Sequence, residues 1–415
     1  MQLDLDFTRA QFSQIHDDPE FVFCSNAGGS FVANQVNEVL SGYNTHTRVQ
    51  PYERYEVSAQ AGIAMDRARK SWSEALNIDE QELTIGPSTS MNTYVMAQAI
   101  GADLGPGDEI VVTNQDHEAN SGAWRRKAEE KGATIREWQV QPDSGLLNPE
   151  DLRALLTDNT RWVFFTHCSN IVGTANPVEE ITKMVRNTSS AKVFVDAVAY
   201  APHHICDLKA LDVDGYAFSL YKVFGPHQSL MYVRKDIADQ LTPQCHYFNT
   251  GYPDKLFNPA GPQHAQVAAC AGVLDYFDEL HAAHFSNGDV PADRNTRLQQ
   301  IYGLVMDHES ALGQPILEFL DNHRHVRLIG KSHTRDGDRA PTIAFKPLKQ
   351  TSREVSSKMQ DHNIGCESGD FYATRLITDL GIDPEDGVVR ISLVHYSSPS
   401  EVQKILEALD QALDG

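Results

Sequence analysis

The chain has 415 residues, a formal net charge of −22, and 41% hydrophobic against 22% charged residues. That length allows two domains, one with a large core, and the balance is that of an ordinary globular protein. The charge argues against nucleic acid or an acidic membrane surface as a partner, since both would repel it. No apolar run approaches the length of a membrane span. The start, "MQLDLDFTRAQF", is acidic and lacks the apolar region of a secretory signal. Six cysteines (Cys24, Cys168, Cys206, Cys245, Cys270, Cys366) are scattered without a CxxC pair or zinc-like spacing. They predict reduced, mostly buried thiols in a cytoplasmic protein, with no metal site.

In chain order, "ELTIGPSTSMNTYVMAQAIG" (82–101) runs from a strand through a turn of small hydroxylated residues into a helix. Such a turn offers free N–H groups, hydroxyls and a favourable dipole to a phosphate, although Ser88 or Ser90 could simply cap the helix. Four short runs rich in Val, Phe and Trp follow: "EIVVTNQD" (109–116), "TIREWQV" (134–140), "WVFFTHCS" (162–169) and "KVFVDAVAY" (192–200). Between them, "SGAWRRKAEEKG" and "PVEEITKMVRNT" have charged helical faces. Strands alternating with helices predict crossover connections, hence an α/β fold with a mostly parallel sheet covered on both faces.

Ligands in such sheets sit at the carboxyl ends of the strands. Those ends carry His117, Asn170 and Asp196. An acid inside "VFVDAVAY" is costly unless a cation or donor meets it, and a lone buried aspartate is more often a structural acceptor than a functional group. Next comes "FSLYKVFGPH" (218–227), which places Lys222 between the strand-like runs "GYAF" and "SLMYVRK". A lysine so near a core must find a counter-charge, lose its proton or form a covalent bond. The alternation fades near 285, where "HAAHFSNGDVPADRNTR" suggests a boundary. The expected organisation is an arm over 1–20, a large domain over 21–285 and a smaller α+β domain over 286–415. The chain ends in "SPSEVQKILEALDQAL", with Ser398 and Glu401 as a capping box and one apolar stripe, Val402, Ile405, Leu406, Leu409 and Leu413.

A phosphate cradle, a ring partner, a buried anion and an amine together meet the needs of pyridoxal 5'-phosphate. This cofactor binds lysine as a Schiff base, and its pyridine nitrogen prefers an aspartate partner. On that reading Ser88, Thr89 and Ser219 hold the phosphate, His117 stacks on the ring and Asn170 bonds the ring hydroxyl. Asp196 keeps the nitrogen protonated, Tyr221 lies beside the cofactor, and Lys222 carries it.

The set "GPSTSMN", "DHEAN", "THCSNIVGT", "VDAVAYAPH" and "FSLYKVFGP" resembles the class V aminotransferase family, in particular its cysteine-desulfurase-like branch. The resemblance implies a fold type I pyridoxal-phosphate enzyme and a homodimer with active sites at the subunit interface. It also implies that Arg390, in "GVVRISLV", grips the α-carboxylate of an amino-acid substrate. Three positions depart from the desulfurase pattern. Ala199 stands where a glutamine is usual, Tyr221 where a histidine precedes the lysine, and "CESGDFYA" (366–373) where the persulfide-forming cysteine is expected. There Tyr372 takes the cysteine's place and Glu367 the arginine's, while Cys366 lies six residues earlier and reads as a buried strand thiol. Three functions stay open: transamination or Cβ/Cγ lyase chemistry on an amino acid, epimerisation with Tyr221 or His227 as a second proton donor, or a degenerate pyridoxal-phosphate-binding partner protein.

Overall fold

The computed structural model describes residues 1–18, 20–285, 290–291, 293–334 and 337–414. Seven strands form the central sheet: β1 (Leu83–Gly86), β2 (Glu109–Thr113), β3 (Thr134–Trp138), β4 (Thr160–Thr166), β5 (Lys192–Asp196), β6 (Gly215–Ser219) and β7 (Ser229–Val233). Their spatial order is β1-β7-β6-β5-β4-β2-β3. All pairings are parallel except those of β7, which runs antiparallel to both β1 and β6. The expected mostly parallel sheet is therefore present. The reversal at β7 follows from the short link after Lys222, too short for a crossover helix.

Both faces of the sheet are buried, as continuous apolar runs require. On one face Trp124 stacks on Phe164 with centroids 4.2 Å apart, within a cluster that includes Phe194 and Met231. On the other, Val163, Val193 and Phe218 pack in the core that takes in the long helices Glu56–Leu76 and His264–His284.

A second, antiparallel sheet comprises β8 (Val326–Leu328), β9 (Thr342–Pro347), β10 (Glu367–Gly369) and β11 (Val388–Ser392), in the order β10-β11-β9-β8. It shares a core with the C-terminal helix Pro399–Asp414, whose Ile405 and Leu409 are fully buried. The capping box forms there: the Glu401 N–H donates to Ser398 Oγ at 3.2 Å, and the Ser398 N–H donates to Glu401 Oε2 at 2.7 Å. Near the N-terminus, Val22–Phe23 pairs in parallel with Ile364–Gly365, and Arg9 binds Glu401 at 3.0 Å. The boundary expected after residue 285 adjoins 286–289, which lie outside the described residues. No helix among the described residues is long and apolar enough to cross a membrane.

Candidate active site

The carboxyl ends of β4, β5 and β6 open onto one cavity of about 270 Å³, and its walls include Ser88, Thr89, His117, Asn170, Asp196 and Lys222. Ser219, Tyr221 and His227 line it too. Eight of the nine residues assigned from the sequence thus meet in one place, drawn from segments more than a hundred residues apart. The ninth, Arg390, stands beside the cavity rather than in its wall.

Lys222 ends a single 3-10 turn, Leu220–Lys222, that follows directly from β6. The turn is held from outside: the backbone N–H of Ser30 donates to the Tyr221 carbonyl at 3.0 Å, and the Leu220 N–H donates to the Gln228 carbonyl at 2.8 Å. Lys222 is only 7% exposed. Burial, helped by repulsion from Arg390 and opposed by Asp196, lowers its amine to about 8. Of the three outcomes open to a buried lysine, partial loss of the proton is the one the surroundings favour, and a neutral amine is the form that attacks a carbonyl.

Asp196 ends β5. Burial raises its carboxyl to about 6, against the Val198 N–H, which donates to Oδ1 at 2.8 Å, and the nearby Lys222. A second acid, Asp116, precedes His117 in the chain; it is buried and pushed up to about 8, so it is mainly neutral at pH 7. His117 accepts the Ala119 N–H at Nδ1, at 3.0 Å, which places its proton on Nε2. Burial and the neighbouring Lys222 and Arg390 lower it to about 4, so its ring is uncharged at neutral pH and suited to lying flat against another ring.

The hydroxyl cradle is built differently from the sequence reading. Ser88 is the N-cap of helix Thr89–Ile100, its Oγ accepting the Met91 N–H at 3.2 Å. Ser88 therefore both caps the helix and lines the cavity. Thr89 Oγ1 lies 2.8 Å from both Ser219 Oγ and Ser229 Oγ, and Asn92 Nδ2 donates to Ser229 at 3.2 Å. Sequence reasoning missed Ser229 and Asn92. It also missed Cys168, which lines the cavity with a thiol pushed up to about 12 by burial, so the thiol stays protonated.

Arg390, on β11, is 4% exposed. Its Nη1 donates to the Asn170 carbonyl at 3.2 Å, the Phe371 ring covers its flat face at 3.8 Å, and its Nε is buried without a partner. Asn170 donates through Nδ2 to the Phe371 carbonyl at 3.0 Å, leaving its Oδ1 buried and unpartnered. Phe371 and Tyr372 both have positive φ (+48° and +61°), so the turn carries strain. It is held by Asn170 and by the Glu118 N–H, which donates to the Tyr372 carbonyl at 2.8 Å. Tyr372 is 73% exposed and faces the His117 ring at 5.4 Å. Cys366 is not at the site. It lies in the core under the small sheet, next to Cys24.

These residues fit pyridoxal 5'-phosphate on their own chemistry. They offer an amine near neutrality, a buried carboxyl, a flat uncharged imidazole and a hydroxyl-lined helix N-terminus, with two buried unpartnered polar atoms, Asn170 Oδ1 and Arg390 Nε, close by.

Comparison with known proteins gives the same direction. The family model described as aminotransferase class-V matches residues 22–306. The chain is 35% identical over 413 residues to the aminotransferase-like protein FGM3 of Gibberella zeae, covering 98% of this chain and 97% of that one. It is 28% identical over 420 residues to the cysteine desulfurase-like protein ustD of Aspergillus flavus, covering 99% and 90%. In fold it is similar to a cysteine desulfurase from Thermococcus onnurineus, with a TM-score of 0.86 at 22% identity and coverage of 100% and 99%.

Proposed function

Because the chain belongs to the aminotransferase class-V family, and so is a pyridoxal-phosphate-dependent enzyme acting on an amino acid, we propose that Lys222 carries the cofactor and moves the substrate's α-proton. The observation that carries this reading is the buried Lys222 amine, lowered to about 8, facing Asp196 across a cavity with a hydroxyl-lined helix N-terminus. Ser88, Thr89 and Ser219 hold the phosphate through hydroxyls and helix N–H groups. His117 lies flat on the ring, and Asn170 bonds its hydroxyl. Asp196 holds a proton at the pyridine nitrogen. Bound there, the cofactor supplies the electron sink for charge released at the substrate's α-carbon. Arg390 takes the α-carboxylate and so sets which bond at Cα stands across the ring plane.

The reaction is transamination or a lyase step at the side chain, without an enzyme persulfide. Cys366 is 1% exposed in another core, Cys168 is held protonated, and Tyr372, where a persulfide cysteine is expected, is exposed and packs against His117. No thiolate is placed to accept sulfur. Turnover with cysteine should leave no persulfide on Cys366 or Cys168 by mass spectrometry, and trapping one there would overturn this part of the reading. We further propose a homodimer in a reducing, cytoplasmic setting, supported by exposed aromatics in the segment before helix His264–His284 and by six unpaired cysteines.

The deciding experiment reduces the holoenzyme with borohydride and maps the pyridoxyl group, expected on Lys222. Single amino acids are then surveyed for keto acid, ammonia and sulfide, with chiral analysis of what is recovered. A pyridoxyl group on another lysine would sink the assignment.

A further inference from the structure

The Lys222 side chain separates two cavities, the large one just described and a smaller one of about 10 Å³ behind it. The rear cavity is walled by Lys222, His203, Ala199, Asn26, Thr342 and Ser392. Its volume is that of one water molecule, and it has polar groups enough to hold one. His203 is 7% exposed, and its Nδ1 stands 2.8 Å from Oε2 of Glu309, which is 2% exposed in the middle of helix Arg294–Asn322. A carboxylate only accepts hydrogen bonds, so Nδ1 carries a proton directed at Oε2, and in the neutral imidazole Nε2 is the nitrogen free to accept one.

Both residues also line a third cavity, of about 30 Å³, together with Arg339, Asp338, His204 and the exposed Gly337. Three polar atoms of that lining are buried and unpartnered, Glu309 Oε1, Asp338 Oδ1 and Arg339 Nε. Donors and acceptors of this kind are ordinarily satisfied by enclosed water. His203 and Glu309 therefore stand between a one-water cavity at Lys222 and a larger polar cavity near the surface. Among the described residues, Lys222 and His203 are the titratable side chains that line the rear cavity. His117 is uncharged at neutral pH, Tyr221 is held protonated by burial, and His395 is paired with Tyr276 and held neutral by burial.

We propose that His203 and Glu309 form a proton relay between Lys222 and solvent, an inference that rests on Lys222 being the proton-moving amine. In the outward direction the Nζ–H bond breaks and the proton passes through one water to Nε2 of His203. The Nδ1–H bond then breaks and that proton goes to Oε2 of Glu309, which releases it into the outer cavity. One proton enters the relay and one leaves, the imidazole changes tautomer, and no electrons are transferred. Uptake runs the same path backwards. The device matters for any reaction in which the α-proton must be lost to, or gained from, water rather than handed back within the site.

The test uses holoenzyme in deuterium oxide with each common L-amino acid alone, following α-hydrogen exchange by proton NMR. His203→Gln and Glu309→Gln should retain the cofactor but lower the exchange rate about tenfold or more, whereas Lys222→Ala should abolish it. Exchange unchanged in both relay variants would overturn the relay while leaving the role of Lys222 intact. Exchange surviving in Lys222→Ala would instead overturn the reading beneath it. A second measurement needs no turnover: with ¹⁵N-labelled histidine, cofactor-free wild-type protein should show His203 protonated on Nδ1 and bare on Nε2. Finding the proton on Nε2 instead would exclude the relay.

Discussion

At Lys222, burial and a nearby cation do the same thing: each makes the charged amine less favourable. An ordinary lysine near 10.4 is almost wholly protonated at neutral pH, but one lowered to about 8 is about one-tenth free at pH 7 and half free at pH 8. Only the free amine attacks an aldehyde. Capture of pyridoxal phosphate by the cofactor-free protein should therefore rise about tenfold per unit from pH 6 toward 8 and then level off. A stopped-flow series would show it, and a rate still climbing between pH 9 and 10 would mean an unshifted lysine. Arg390 presents the complementary case. Burial lowers even its guanidinium to about 9, and the polar groups beside it are the Tyr221 hydroxyl and the Asn170 carbonyl rather than a carboxylate. A buried cation with an orphaned Nε is a group held ready for an anion. Arg390→Ala should cost about 2–5 kcal/mol in kcat/KM, with near-normal cofactor content. Arg390→Lys should recover part, since an ammonium cannot match a carboxylate bidentately. Loss of cofactor or of fold in Arg390→Ala would mark the residue as structural.

Elements explain why some of the site was legible and some was not. The polar residues that end parallel strands announce themselves, because each interrupts an apolar run at the position where such sheets bind ligands. Asp196 and His117 were readable in this way, and so was Lys222 from its apolar company. Ser229 was not. It opens β7 and looks like the first residue of a strand, and only the antiparallel pairing Ser219↔Ser229 brings its hydroxyl beneath Thr89. The Phe371–Tyr372 turn reaches Arg390 and Asn170 from two hundred residues away from the latter, which no local spacing could reveal. The relay pair was hidden for the same reason: Glu309 lies on a long helix and meets His203 across 106 residues. The cradle offers a test at this scale. Ser229→Ala removes one partner from a buried network of Thr89, Ser219 and Asn92 and leaves donors unsatisfied, at about 1–3 kcal/mol. Its apparent affinity for pyridoxal phosphate should fall by about ten- to a hundredfold, measured by equilibrium dialysis. An unchanged affinity would place the phosphate elsewhere.

Over the whole molecule, the surface over the segment before helix His264–His284 is unusual. Tyr247 is 97% exposed, Phe248 78% and Tyr252 54%, in the segment between β7 and helix His264–His284. That segment lies against the rest of the fold near β1, the edge strand of the central sheet, through the turn Pro253–Lys255. Met91 and Tyr94, 50% and 43% exposed, lie on the cradle helix itself. Single exposed aromatics need no explanation, but a group of them beside an unpaired sheet edge marks an interaction surface. In a chain with a formal charge of −22 the partner must tolerate strong like-charge repulsion. A second copy does so only where the contact is apolar and salt screens the rest. The resemblance named from the sequence implied such a homodimer, and its proposed contact lies at these aromatics. Sedimentation at micromolar concentration should show a dimer that tightens as salt is raised from about 0.01 M to 0.15 M, where the screening length falls from about 30 Å to about 8 Å. Tyr247→Glu with Phe248→Glu should shift it to monomer without loss of helical signal. If the site is completed across that interface, the monomeric variant should also bind pyridoxal phosphate more weakly. A variant that stays dimeric would move the interface elsewhere on the surface, and a wild-type monomer at every salt concentration would refute the dimer altogether.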